Sequence, residues 1–513
     1  MENTGHTEVL IAGAGPTGLL LALWLTRLGV KARIVDPKPG PTEESRAIGV
    51  QARTMEFYDQ LGLGAEALTR GRHFDAVNLW VQGRLRSQVR LRGVGDDLTP
   101  HPYLYILTQD QNETMLLEHL EKSGGAVAWR TELSGFTQDE NGVSATLRRG
   151  DATETVHAAF LAGCDGARST VRHGLSVPFT GGTQVQTFYV ADVSVTGKLR
   201  EGDMNLSLDD THFSAFFPMP EPNRHRVVGQ LPEGADEHVT FESVRPEVEA
   251  HGLARVGDVH WFSTYRSHHR VAERFRVGRA FLLGDAGHVH SPVGGQGMNT
   301  GLGDAANLAW KLAQALRGGD LAVLNTYETE RRPFAVSLVN TTDRVFSGVV
   351  NPSALARFIR TWVVPAVLPI LVRPRAVRRR MFLTVSQTRI HYPDSPLSTG
   401  QAGRVRGGDR LPWVPDGASS NYGALKSLDW QLHVYGSLTS EVQTWCAAWG
   451  LPLHVFPFSR VARRAGLTQN ALYLVRPDGY VGMAVPRFEQ ASLDAYAERW
   501  LPKVKSGGVQ AGQ

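Results

Sequence analysis

The sequence predicts an α/β protein. One sheet-and-helix domain is interrupted by a mainly antiparallel sheet and followed by a second α/β unit. Three observations carry this. An apolar run, a Gly-x-Gly-x-x-Gly turn, an apolar helix pattern and a second apolar run follow one another within the first 36 residues. Two later apolar runs end in Asp165-Gly166 and Gly284-Asp285. The stretch between them, about 176–275, alternates like strands and is rich in aromatics.

Composition sets the limits. The 513 residues are 42% hydrophobic and 20% charged, which suits several globular domains and argues against general disorder or coiled coil. A net charge of +4, with Lys at only eight positions, gives no case for a nucleic-acid partner. Cys164 and Cys446 are too few for a disulfide framework or a Cys-rich zinc site, so a reducing cytoplasm is the expected compartment. The first residues carry no basic segment of the kind that opens a signal peptide. The run Val9–Leu25 is broken by Gly13, Gly15, Pro16 and Gly18, and Thr361–Val372 is too short, so neither reads as a membrane span.

The elements follow in order. Val9–Ala12 is a buried strand, Leu19–Leu28 a helix capped by Gly29, and Ala32–Val35 a second strand ending at Asp36, which makes a βαβ unit. Residues 75–100 alternate like strands, and Gln109–Leu120 reads as a helix. Short strands over 127–147 meet at an Asn141-Gly142 hairpin, and Ala158–Cys164 is another strand. After the aromatic-rich insert, Phe281–Leu283 is a buried strand. A helix then opens near Met298, with Leu302, Ala305, Ala309, Leu312 and Leu316 on one face. Residues 340–390 read as helices broken by prolines, 393–412 as a Pro/Gly-rich linker, and 410–505 as an α/β unit. The expected domains are 1–175 with 276–392, an insert at 176–275, and 400–505.

Gly13-Ala14-Gly15-Pro16-Thr17-Gly18 sits between strand and helix, and Asp36 follows 18 residues after Gly18. In that context it is a dinucleotide fingerprint. The glycines let the backbone approach a pyrophosphate, the helix N-terminus offers free N–H groups, and Asp36 can accept from a ribose hydroxyl. Cys164-Asp165-Gly166 through Arg172, and Gly284-Asp285-Ala286-Gly287-His288 leading into Pro292–Gly301, follow in order. With these three motifs the first ~390 residues resemble the class A flavoprotein aromatic monooxygenases of the p-hydroxybenzoate hydroxylase fold. The subgroup it is most similar to acts on phenols, aromatic polyketides and rifamycins and carries a C-terminal thioredoxin-like domain.

The resemblance implies a Rossmann-like FAD-binding domain with an inserted substrate-binding sheet. It implies FAD as cofactor, NADPH or NADH as cosubstrate, and hydroxylation of a bulky phenolic or polyketide-like aromatic with O2 through a flavin C4a-hydroperoxide. Baeyer–Villiger insertion on a polyketide ketone, or binding of an aromatic antibiotic without turnover, are the alternatives left open. The fingerprint residues and Asp36-Pro37 take the place of the dinucleotide site, and Arg46 and Gln109 of flavin contacts. Leu133 falls at a backbone contact near the adenine, and Asp165 and Asp285 at the family's two FAD aspartates. Gly295, Gly297, Met298 and Asn299 match the backbone that meets the isoalloxazine, and Pro292 the flavin–substrate junction. Tyr327-Glu328-x-Glu330-Arg331-Arg332-Pro333 matches a signature with a mainly structural role.

Phe213, Phe216, Met219 and Tyr265 are the candidate substrate-lining residues, with Pro292. His288 and His290 have no spaced partners that would make a metal site, and none is expected. A thioredoxin-like domain holding only Cys446 has no Cys-x-x-Cys and no thiol redox role. The Arg373–Arg380 cluster reads as a solvated helix end, with a membrane surface or acidic partner as the alternative. The expected form is a monomer or homodimer.

Overall fold

A computed structural model describes residues 4–42, 47–208, 213–231, 239–290, 295–350, 353, 355, 359–417 and 419–502. The predicted βαβ opening is present. Strand Thr4–Ala12 leads through Gly13–Gly15 into helix Pro16–Arg27, and strand Ala32–Asp36 pairs parallel to the first. Leu19–Leu25 are buried on every side, because the helix lies between the sheet and helix Gly297–Leu316. The first sheet runs in the order Arg276–Val277, Ala280–Leu282, Ala152–Gly163, Thr4–Ala12, Ala32–Asp36, Val127–Trp129. Its central strands are parallel, so the motif-bearing ends of Ala152–Gly163, Ala280–Leu282 and Thr4–Ala12 reach the same edge.

The hairpin at Asn141-Gly142 joins antiparallel strands Glu132–Gln138 and Val143–Arg149, with the Asp139 carboxylate accepting from both turn N–H groups. Helix Gln109–Lys122 and helix Gly297–Leu316 form where their periodicity places them, and Leu302, Ala305, Ala309 and Leu312 are fully buried.

The second sheet has eight strands. It runs His288–Val289, Ala254–Ala272, Phe179–Gly197, Arg224–Gln230, Phe213–Pro218, Met204–Leu208, Ala76–Val81, Arg84–Arg90. It is therefore not confined to 176–275: two strands come from residues 76–90 and one from the segment after Gly284-Asp285. Alternation shows that 76–90 is strand but not which sheet it joins. Its partner, Met204–Leu208, lies more than a hundred residues away.

The third sheet pairs Val405–Arg406, Thr399–Ala402, Val481–Val485, Leu472–Val475, Gln431–Tyr435 and Leu453–Phe456, with helices Ser440–Trp449 and Gln490–Trp500. The 393–412 stretch is not a free linker, because Thr399–Ala402 pairs parallel with Val481–Val485. Trp430 of this unit stacks edge-on against Trp310 at 5.5 Å, and Gln314 bonds both Trp430 and the Trp500 carbonyl. The core thus runs without a break from the first sheet into the third.

Candidate active site

Each glycine of the first turn has its own reason. Gly13 holds φ at +100°, and a Cβ there would run into the Cys164 carbonyl. A Cβ on Gly18 would overlap the Gly13 carbonyl oxygen. Gly15 is different: no heavy atom lies within 4 Å of the position its Cβ would take. Gly13 and Gly18 close the strand–helix crossing, whereas Gly15 opens the turn outward at the N-terminus of helix Pro16–Arg27.

Thr17 is where the motifs meet. A Cβ on Gly284 would lie 2.8 Å from Thr17 Oγ1, and one on Gly301 would overlap that atom. Gly284 follows strand Ala280–Leu282, and Gly301 lies in the second turn of helix Gly297–Leu316. Two glycines 17 residues apart, and more than 260 residues beyond Thr17 in the chain, are thus packed against its side chain.

The carboxylates set this geometry. Asp36, buried at the strand end, accepts from Ala14 N at 2.7 Å through Oδ2 and from Lys38 N at 2.8 Å through Oδ1. It holds the turn directly, and each oxygen keeps a further lone pair for another donor. Pro37 beside it is exposed. Leu133 is buried against the core, two residues past Thr131, whose N–H donates to the Asp36 carbonyl.

Gln109 and Glu113 grip both sides of the segment that carries Arg46. Gln109 Oε1 accepts from Ala47 N at 3.3 Å, Gln109 Nε2 donates to Glu113, and Glu113 Oε2 accepts from Thr42 N at 2.8 Å. Arg46 itself and Pro292 lie outside the described residues.

Asp165 Oδ2 accepts from Val171 N at 3.0 Å, at the start of helix Thr170–Gly174, while Oδ1 is buried without a partner among the described residues. Burial pushes this carboxyl above its usual range, against its hydrogen bonds. Arg172 ties the two aspartate motifs together, donating to the Ala286 carbonyl at 3.0 Å and the Ala167 carbonyl at 2.8 Å. Asp285 is exposed in the short Gly284–Ala286 turn, at the same sheet edge.

Asn299 is fully buried and uses its whole amide. Oδ1 accepts from Gln51 N and Thr54 Oγ1, and Nδ2 donates to the Gly49 and Gly295 carbonyls, all at 2.7–2.8 Å. Its side chain faces the protein, which fixes Gly295 (φ +60°) and Gly297 at the helix start. Met298 Sδ accepts from Asn112 Nδ2 at 3.3 Å.

Sequence reasoning missed Asp304. It is fully buried and accepts from Gly284 N at 3.0 Å, Arg331 Nε at 2.7 Å and His288 Nε2 at 2.8 Å. Burial opposes its charge, but Arg331 and His288 outweigh that and hold the carboxyl below its usual range. One side chain therefore anchors the Gly284 turn, the following His288 strand and the Tyr327–Pro333 signature. The sign was an acid within the otherwise apolar Leu302–Ala306 run.

Strand register sorts the substrate candidates. Phe217, Arg226, Asp192 and Trp261 lie side by side across four strands, as do Ala215, Val228, Val190 and Ser263. One residue away, Phe216, Val227, Ala191 and Phe262 face the other side. That second side is covered by helix Phe241–Val248, and Phe216 is fully buried there with Tyr189 and Phe241, so it is core. The first side faces the cofactor domain: Phe217 packs with Ile48 and Phe74, and Arg226 donates to the Ala47 carbonyl. Phe213 and Tyr265 are half-buried on this side around Phe188, with ring centroids 6.4 and 5.9 Å away. Met219 is buried just past the end of strand Phe213–Pro218, away from that cluster, with its carbonyl facing Arg72. Phe188 itself is fully buried, so it backs these two rings from within the sheet rather than lining an open surface.

These residues fit a bound dinucleotide. The turn opens at Gly15, which no packing in the chain requires to be glycine, the buried Asp165 Oδ1 has no partner among the described residues, and a glycine-started helix of 20 residues points its N-terminus to the same edge. The family model described as an FAD binding domain matches residues 6–342. The 6-methylpretetramide 4-monooxygenase of Streptomyces rimosus is 37% identical over 408 residues, covering 77% of this chain and 71% of that protein. The solved structure of OxyS anhydrotetracycline hydroxylase from Streptomyces rimosus superposes with a TM-score of 0.78 at 28% identity, covering 96% of this chain and 99% of that one. That of aklavinone-11 hydroxylase with FAD and aklavinone gives 0.76 at 26% identity, covering 96% and 98%.

Proposed function

This chain belongs to the FAD-binding-domain family of flavin-dependent aromatic monooxygenases, and on that footing we propose that it hydroxylates a bulky phenolic or polyketide-like aromatic, using NADPH or NADH and O2. The observation that carries the reading is the packing of Gly284 and Gly301 against Thr17 of the first turn, with an aromatic sheet face turned toward that domain. FAD, when bound, supplies the redox chemistry: it accepts a hydride from the nicotinamide and enables transfer of one oxygen atom to the ring.

The chain's own part is to bind, orient and keep water out. Gly15 and the first N–H groups of helix Pro16–Arg27, with Thr17 at its first turn, receive the pyrophosphate. Asp36 takes a ribose hydroxyl on a lone pair left over from holding Ala14 N. The Leu133 backbone and Pro37 border the adenine end. Arg46 meets the cofactor from the segment that Glu113 and Gln109 hold at its two flanks, and Gln109 from the start of its own helix. Asp165 and Asp285 serve the phosphate and ribityl part. Backbone N–H groups at Gly295–Asn299 face the flavin ring, where a helix N-terminus favours negative charge. Pro292 is assigned to the junction with the substrate.

Phe213 and Tyr265, backed by the buried Phe188, form the aromatic wall against which a fused-ring substrate lies. Phe216 is withdrawn from that role, and Met219 is at most a border. Relatives named for pretetramide and anhydrotetracycline chemistry support a multi-ring substrate. Among the described residues no helix is long and apolar enough to cross a membrane. With two free cysteines, we place the enzyme in the cytoplasm as a monomer or homodimer, without a nucleic-acid partner.

The test is oxidation of NADPH and of NADH by the FAD-loaded protein against a panel of phenols, anthracyclines, tetracyclines and rifamycins, with peroxide measured in parallel. The reading expects one class to stimulate oxidation with little peroxide and an oxygenated product. Stimulation by simple phenols alone would overturn the bulky-substrate assignment.

A further inference from the structure

One face of the molecule is used by nothing described so far. Helix Val364–Leu371 packs on Arg84–Arg90, the outer strand of the second sheet. The helical stretch from Ile359 leaves large apolar side chains in solvent: Trp362 is 60% exposed and Ile370 and Leu371 each 59%. Trp362 is the one exposed tryptophan among the described residues.

Around this apolar ridge basic side chains predominate. Arg84, Arg86 and Arg90 are, with Gln88, the exposed residues of the alternating edge strand. Arg373, Arg375 and Arg380 are exposed just beyond the ridge. The sequence holds no acidic residue from 351 to 393, nor from 83 to 94. Of the acids nearby, Asp97 pairs with Arg379 at 2.6 Å and also attracts Arg375, Asp75 approaches Arg92 at 3.7 Å, and Asp203 accepts from Gln88 at 3.4 Å; among the described residues none pairs with Arg84, Arg86, Arg90, Arg373 or Arg380, so the face keeps an excess of positive charge.

We propose that this face docks the protein on an anionic lipid surface. Trp362, Ile370 and Leu371 enter the boundary between headgroups and acyl chains, and the flanking arginines meet lipid phosphates. Charge complementarity with exposed Trp and aliphatic residues is the combination an interfacial segment needs. A solvated helix end has no use for the tryptophan, and a nucleic acid none for the aliphatic ridge. Pairing with a second copy through this face would set arginine against arginine. The proposal does not rest on the substrate assignment.

The experiment is co-sedimentation of the FAD-loaded full chain with vesicles of phosphatidylcholine alone or with about 30% phosphatidylglycerol, a content that makes the surface strongly anionic. The expected result is binding to the anionic vesicles only, lost at high salt. Trp362→Ser with Ile370→Ser, and separately Arg373→Gln with Arg375→Gln and Arg380→Gln, should each weaken it at least about tenfold. FAD content and ligand-stimulated NAD(P)H oxidation in solution should be unchanged. Brominated lipid should quench part of the unmodified protein's tryptophan emission, which needs no variant. Absence of vesicle binding, equal binding to uncharged vesicles, unquenched emission, or binding that survives both sets of substitutions would overturn the proposal. Loss of self-association rather than of vesicle binding in the variants would do the same.

Discussion

Gly15 and Gly18 stand three residues apart and answer to different demands. Gly18→Ala would press a methyl group into the Gly13 carbonyl and should cost the fold outright. Gly15→Ala meets nothing in the chain, and its φ of −77° suits any residue. The FAD-free Gly15→Ala protein should therefore melt within about 0.5 kcal/mol of the parent. Its affinity for FAD, read by flavin fluorescence, should fall by at least about tenfold as the methyl group blocks the pyrophosphate. Unchanged affinity would contradict the placement. Asp304→Asn keeps an acceptor for Gly284 N but leaves Arg331 buried without its counter-charge, at a cost of about 3–5 kcal/mol. Thermal melting of the FAD-free variant checks it. At this scale the sequence was readable where a residue's job is local. Gly13, Gly15, Gly18 and Asp36 sit in one strand–turn–helix unit, whereas Asp304 acts on Gly284 and Arg331 from 20 and 27 residues away.

Helices Gly297–Leu316 and Asn325–Val350 are joined by a buried charge cluster. Glu330 accepts from Lys311 at 2.8 Å, Asn307 at 2.6 Å, Ser395 at 2.7 Å, and two nitrogens of Arg476 at 2.7 and 3.0 Å. Burial opposes the Glu330 charge, but Arg476 and Lys311 outweigh it and hold the carboxyl far below its usual range. Glu56 is held low in the same way by Arg410 and Arg53. Carboxyls that titrate lower in the folded chain contribute stability above their unfolded values and lose it as pH falls through the folded ones. Melting temperature should drop as pH falls below about 4.5, and Glu330→Gln should flatten that slope.

Lys311 has the same sign in another window. Burial pulls its ammonium from an ordinary 10.5 to about 8, against the attraction of Glu330. Between those values the unfolded chain binds more protons, so this group favours folding increasingly as pH rises. In Lys311→Met that part of the pH dependence should vanish. Periodicity predicts the first of these helices, and of the second only the stretch from about 340 on reads as helical in the sequence. It had no means to find their partner, because Arg476 lies 146 residues beyond Glu330 in the hairpin of another sheet.

For the whole molecule these contacts make the C-terminal unit part of the flavin domain. Arg476 and Asp478 complete the Glu330 cluster, Arg410 completes Glu56, and Arg53 donates to the Asp478 carbonyl at 2.6 Å. Cys446 is buried, with its thiol pushed up to about 11, so it is no ready nucleophile. A chain ending at Pro393 strands Glu330, Glu56 and Arg53 with only part of their partners. It should fail to retain FAD, and the full chain should unfold in one calorimetric transition rather than two. The opening strand–turn–helix–strand unit was legible from apolar runs and turn residues. The sharing of strands was not, since 76–90 and 399–406 find their sheets through pairing that no local pattern encodes. The central claim is that flavin and aromatic face act together to oxygenate a substrate. The most direct measurement is turnover of the responding aromatic under isotopically labelled O2, with the product read by mass spectrometry. The account expects one labelled oxygen atom per product molecule. Label arriving from water, or NAD(P)H consumed entirely to peroxide with no labelled product, would contradict it.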